Sequence, residues 1–78
     1  MSLSAFVLIQ TEVRKAAFVA EEASKLDGVV SSEAVTGAYD VIVRAEAKSM
    51  DDLGKMVVSK IQLIDGITRT RTCTVVNL

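Results

Sequence analysis

Residues 4–11 (SAFVLIQT) form an apolar run rich in β-formers and short enough to be one strand. From Arg14 to Leu26 the spacing changes. Ala16, Val19, Ala20, Ala23 and Leu26 recur at helical intervals and define one apolar stripe. Asp27-Gly28 ends this helix, because glycine takes the left-handed cap without steric cost. Val29 to Thr36 predicts a second strand and Tyr39 to Lys48 a third, with Gly37-Ala38 between them. In the third strand Tyr39, Val41, Val43, Ala45 and Ala47 alternate with Asp40, Ile42, Arg44, Glu46 and Lys48, which leaves one face clearly apolar. Ser49 followed by Asp52 resembles a capping box with Asp in place of Glu, and starts a second helix. Its stripe is Met50, Leu53, Val57, Ile61 and Ile64. Asp65-Gly66 closes that helix as Asp27-Gly28 closed the first, and Ile67 to Val76 (ITRTRTCTVV) is the last strand.

The order is strand-helix-strand, twice. Right-handed crossovers turn it into an α+β ferredoxin-like βαββαβ plait, a four-stranded antiparallel sheet with both helices on one face. Strands one and three are then central, and the serines, threonines and arginines of strands two and four suit edges. One feature exceeds what this fold needs. In strand one Phe6 and Leu8 alternate with Val7 and Ile9, so both faces are apolar, whereas two helices cover only one. A second subunit packed sheet to sheet, as in a dimeric α/β barrel, is the expected cover. Phe18, Met56 and Leu63 fall off the helical stripes and suggest contacts beyond a dimer.

Composition narrows the rest. Seventy-eight residues make a single domain, residues 1–78, of marginal independent stability. One cysteine and no histidine exclude a disulfide staple and the usual structural zinc, leaving oligomerisation as the ordinary source of added stability. Nine basic against ten acidic residues give no electrostatic footprint for nucleic acid. The sequence has no run of roughly 20 apolar residues and no signal-peptide start, so the expected location is cytoplasmic. No metal or cofactor is implied. Catalysis is not expected either, since there is no histidine, nucleophile elbow, Cys-x-x-Cys or glycine-rich phosphate loop. Cys73, with no histidine to activate it, is expected to be a small buried hydrophobe.

Two places carry candidate chemistry. In VTGAYDVIV (residues 35–43), Asp40 either caps the hairpin while Tyr39 packs in the core, or pairs with a ligand ammonium while the backbone at Gly37 and Ala38 receives a carboxylate. Spacing leaves both open. In TRTRTCT, Thr68, Thr70, Thr72 and Thr74 share one face, with Arg69, Arg71 and Cys73 on the other. The plain reading is a solvated edge strand; the functional one is a row of hydroxyls for a polar ligand.

From Ala5 to Val76 the chain resembles the ligand-binding (RAM) domain of the Lrp/AsnC transcription regulators, through KLDGVVSSEAVTGAYD, IDGITRTRTCTVV and above all Gly-x-Tyr-Asp at the hairpin. It looks like the stand-alone members that lack the helix-turn-helix. The resemblance implies sheet-packed dimers assembling into octameric or decameric rings. It also implies a small effector, mainly an amino acid, bound where dimers meet. Carried over by position, the site is Gly37, Ala38, Tyr39 and Asp40, with Thr70 and Thr72 as weaker candidates. Any influence on transcription or amino-acid metabolism would pass through partners, including mixed assembly with full-length regulators. Two other readings remain: a small dimeric α/β-barrel enzyme of monooxygenase or isomerase type, and an oligomerisation module without ligand.

Overall fold

The computed structural model describes residues 2–77. Its elements are β1 (Leu3–Thr11), α1 (Ala16–Ser24), β2 (Val29–Ala34), β3 (Val41–Ala47), α2 (Met50–Ser59), a 3-10 turn (Ile61–Leu63) and β4 (Ile67–Thr74). The strands are antiparallel in the order β2-β3-β1-β4, the ferredoxin-like plait with β1 and β3 at its centre.

The strand period of two decides which side chains meet the helices. Ala5, Val7 and Ile9 of β1 are fully buried, as are Val41, Val43 and Ala45 of β3. Val19 and Ala23 of α1, Leu53 and Val57 of α2, and Ile61 complete the core above this face. Phe6 and Leu8 occupy the opposite face and are only half-buried. Their neighbours there are Arg44 and Ile42 across β3, and Cys73 and Arg71 across β4. The Arg44 guanidinium lies over the Phe6 ring at 5.2 Å. Cys73 is therefore exposed rather than buried as expected, because its side of the edge strand has no helix above it.

The helices follow their stripes with local corrections. α1 begins at Ala16, not Arg14, since Arg14 has φ 68 and the left-handed region cannot continue into a right-handed helix. α2 begins as expected, the Ser49 hydroxyl accepting the Asp52 N–H at 3.1 Å. It stops at Ser59, where Lys60 leaves helical backbone (φ −128, ψ −59) and the chain tightens into the 3-10 turn. Leu53, Val57 and Ile61 are buried as expected, but Met50 is 58% exposed in the first turn, its sulfur against Thr74 at the sheet edge. Met56 does the reverse: it packs half-buried against the core instead of pointing away. The long thioether reaches Gly28, whose missing side chain leaves it room. Phe18 and Leu63 stay exposed.

Two of the four threonines of β4 depart from the solvated reading, while Thr68 and Thr72 are exposed in keeping with it. Thr70 pairs with Ile9 and Thr74 with Ala5, on the helix side, and both are half-buried. β2 and β3 end their pairing at Ala34 and Val41, so the loop between them is longer than the strands' apolar runs imply.

Gly28 joins α1 to the sheet. It has φ 90, its carbonyl accepts the Glu46 N–H at 2.7 Å, and a Cβ there would collide with the Met56 methyl. The positive φ strains any side chain there, and the Cβ would press on the Glu46 carbonyl oxygen at 3.0 Å, although the Met56 methyl can swing aside. Gly28→Ala is expected to lower stability by more than about 1 kcal/mol, read as a shifted urea midpoint with unchanged slope.

Candidate functional site

The loop from Val35 to Asp40 is tied to the end of β1 rather than left free. The Val35 N–H donates to the Asp40 carbonyl at 2.9 Å and closes the loop. The Asp40 N–H donates to the Ile9 carbonyl at 2.8 Å, and the Gln10 side-chain amide donates to the Ala38 carbonyl at 3.1 Å. The Thr11 N–H donates to Asp40 Oδ2 at 2.8 Å, where β1 shifts its register against β4. A charge-assisted bond of this kind is stronger than a neutral one. The Asp40 side chain thus has a definite structural duty, fastening the hairpin to β1 instead of capping the turn from within. Gly37 (φ 142) and Ala38 stand exposed at the tip, and nothing lies within 4 Å of where a Gly37 Cβ would be. Tyr39 is half-buried and outside the core cluster.

Thr70 and Thr72 lie on the other side of β1. Ile9 pairs with Val41 on one flank and with Thr70 on the other, so hairpin and β4 meet the same end of the central strand from opposite sides. Thr70 Oγ1 accepts the Gln62 amide at 2.8 Å. Together with Ile67, Thr68 and Arg69 these two line a shallow cavity of about 280 Å³. Thr72 is exposed one residue pair further along and does not line it. No hairpin residue lines the cavity at Thr70. Thr68 and Arg69 belong to the run already singled out in the sequence, whereas Gln62 is a polar group at this end that motif reasoning passed over. The interruption of the apolar run Ile61–Ile64 by a glutamine was the available signal.

The chemistry offered is recognition. Hydroxyls, the Gln62 amide, the Arg69 guanidinium, exposed hairpin backbone and the Asp40 carboxylate are among the groups at this end of the sheet. Among the described residues no group of three or more Asp, Glu, Cys or His could hold a metal. Lys25, at the end of α1, is held above the usual lysine value by its hydrogen bond to Glu22 and the attraction of that carboxylate. It is fully exposed, so this pair is a surface feature of the helix end.

Several known proteins are similar to this chain. An uncharacterised HTH-type transcriptional regulator of Pyrococcus abyssi is 35% identical over 68 residues, which cover 87% of this chain and 43% of the regulator. The chain thus spans less than half the length of that relative. A solved protein of Thermus thermophilus matches with a TM-score of 0.91 at 28% identity, covering 97% of this chain and 95% of the other. A transcriptional regulator of Neisseria meningitidis, solved as a complex with L-Met, matches with a TM-score of 0.81 at 25% identity, over 96% of this chain and 50% of the other. The relatives named for an activity are regulators, not enzymes. No helix among the described residues is long and apolar enough to cross a membrane. The Lrp/AsnC ligand binding domain model matches residues 4–77, and the chain belongs to that family.

Proposed function

We propose that this domain senses a small effector, an amino acid, in a cleft completed by a neighbouring subunit. The walls are Gly37, Ala38, Tyr39 and Asp40 of one subunit and Thr70 and Thr72 of another. The observation that carries the reading is the hairpin. Its tip presents open backbone at Gly37 and Ala38 beside a carboxylate held in place by the Thr11 amide. Such a pair of acceptor and backbone suits a zwitterion, whose ammonium and carboxylate need opposite partners a few ångströms apart. The L-Met complex of the Neisseria meningitidis regulator supports the ligand class. The separation of the hairpin from Thr70 and Thr72 by β1 supports a site shared between subunits, with Gln62 accompanying Thr70.

Assembly in this reading begins at the open sheet face. Phe6, Leu8 and Ile42 form its apolar centre with Arg44 lying over Phe6, and Arg71, Glu33 and Glu46 form its charged rim. That is the anatomy of an interface, apolar within and polar around. A second copy covers it, and dimers build larger rings. Phe6→Glu places a charge in the centre of this face, outside the core. It should convert the assembly to monomers in sedimentation at micromolar concentration; a wild-type chain that is itself monomeric there sinks the reading.

Effector binding feeds a regulatory output, on transcription or amino-acid metabolism, through partners that include full-length relatives. With nine basic and ten acidic residues the purified chain should give no sequence-selective gel shift alone. A salt-sensitive shift at a defined DNA sequence would refute the indirect route.

Asp40→Asn tests the site. The amide oxygen can still accept the Thr11 N–H, while the charge facing an ammonium is gone. A charge-assisted bond contributes about 1.5–3 kcal/mol, so calorimetry with the amino acid selected by a thermal-shift screen should show roughly tenfold weaker binding or worse. Unchanged affinity with a lowered melting temperature would reduce Asp40 to its bond with Thr11. No response to any amino acid would leave an oligomerisation module.

A further inference from the structure

The hairpin tip has little around it, and one side chain fixes how its backbone faces. Gly37 and Ala38 are exposed, and nothing lies within 4 Å of where a Gly37 Cβ would stand. Among the described residues the N–H groups of Gly37, Ala38 and Tyr39 have no hydrogen-bond partner. The bond that reaches into the tip from outside runs from the Gln10 side-chain amide to the Ala38 carbonyl, at 3.1 Å. Gln10 offers a firm base for it. It lies in the central strand, pairs with Arg69 of β4, and its own carbonyl accepts the Thr68 hydroxyl at 3.2 Å. A trans peptide is planar, so its C=O and N–H point in opposite directions. The Ala38 carbonyl and the Tyr39 N–H belong to one such peptide. Drawing the carbonyl toward β1 therefore turns the Tyr39 N–H away from β1.

We propose that Gln10 is a positioning residue of the effector site, holding the 38–39 peptide so that the Tyr39 N–H meets the effector carboxylate. This rests on the effector reading above. It adds which group on the tip receives the carboxylate, and what aims it. The bonds that close the loop, Val35 to Asp40 and Asp40 to Ile9, leave the 38–39 peptide free to turn. Without Gln10 the peptide can present its carbonyl oxygen instead, which repels a carboxylate. Asp40 follows Tyr39 directly, so the donor for the carboxylate and the acceptor for the ammonium stand on adjacent residues. An α-amino acid carries its two charges at a matching separation. The site then selects a free carboxylate over a neutral carboxamide at the same position.

The test compares the full wild-type chain with Gln10→Leu, which keeps the bulk without the donor. Gln10→Thr, a polar β-former too short to reach Ala38, guards against a fault of the apolar variant. Calorimetry uses whichever of the twenty L-amino acids binds the wild type, and the same amino acid as its C-terminal amide. The wild type should prefer the acid roughly tenfold or more, since a hydrogen bond to a carboxylate is charge-assisted. Both variants should lose most of that preference through weaker binding of the acid. Binding of the amide, sedimentation and melting temperature should stay close to wild type. A merely structural role would weaken acid and amide alike. Acetate, a carboxylate without an ammonium, separates this inference from the reading beneath it. It should shift the Tyr39 amide resonance of the wild type, against chloride at equal ionic strength, and leave both variants unmoved. An acetate shift in a chain that binds no amino acid sinks the effector reading and supports the role of Gln10. That role is overturned if acetate leaves the wild-type Tyr39 resonance in place, or if the variants respond as the wild type does. It is equally overturned if they lose affinity for acid and amide in the same proportion.

Discussion

The molecule depends on β1 being a central strand. It exchanges ladder hydrogen bonds with β3 on one edge and β4 on the other, which fixes the register of its side chains from both flanks at once. A slip of one residue would bring Phe6 and Leu8 under the helices and expel Val7 and Ile9. Because Ala5, Val7 and Ile9 are small or branched, the helices can pack close above them, and the larger Phe6 and Leu8 are left to the opposite face. The same strand carries the end of the sheet where the proposed site lies. Its last residues hold the hairpin through Ile9, Gln10 and Thr11, and the Glu12 N–H holds the start of β4 through the Gly66 carbonyl at 2.7 Å.

Tying two loops to one strand end has a cost and a use. The bulge between Gln10 and Thr11 interrupts the β1–β4 ladder, and Asp40 supplies the acceptor for the Thr11 amide there. A carboxylate fixed by a backbone N–H keeps one orientation, which an exposed side chain on a free loop would not. In the proposed site such preorganisation lowers the ordering entropy that binding must overcome. Structural and recognition roles for Asp40 are therefore compatible, and the first prepares the second.

Much of this was legible in the sequence, for identifiable reasons. Strict alternation in residues 39–48, the Asp-Gly pairs at 27–28 and 65–66 and the Ser49 cap are local signals, and local chemistry decided those elements. What escaped was non-local. Arg14 takes a left-handed turn in a loop fastened to Gly66; Met56 fills the space beside Gly28; Gln62 finds Thr70 across eight residues. None of these partners is marked by spacing. Cys73 was misjudged because composition says a free cysteine is usually buried, while its register opposite Phe6 puts it on the uncovered face. The hairpin was noticed through its own residues, a glycine, a tyrosine and an aspartate between apolar runs, and its bonds to β1 became visible only in three dimensions.

The placement of the aromatics gives the broadest argument for assembly. An aromatic ring buries more apolar area than any aliphatic side chain, so a small domain seeking stability alone would put its rings in the core. Here the largest fully buried side chains are Ile9, Ile61 and valines. Phe6 is on the open sheet face, Phe18 on the outer side of α1 and Tyr39 beside the hairpin, all at least partly exposed. The three sit on different surfaces, so no single contact covers them all. A chain of this length buries too small a fraction of its surface to leave its best apolar groups idle. Their dispersal over separate faces is the pattern expected of a subunit that meets neighbours in more than one direction, with its core reduced to what holds each copy in shape until they meet.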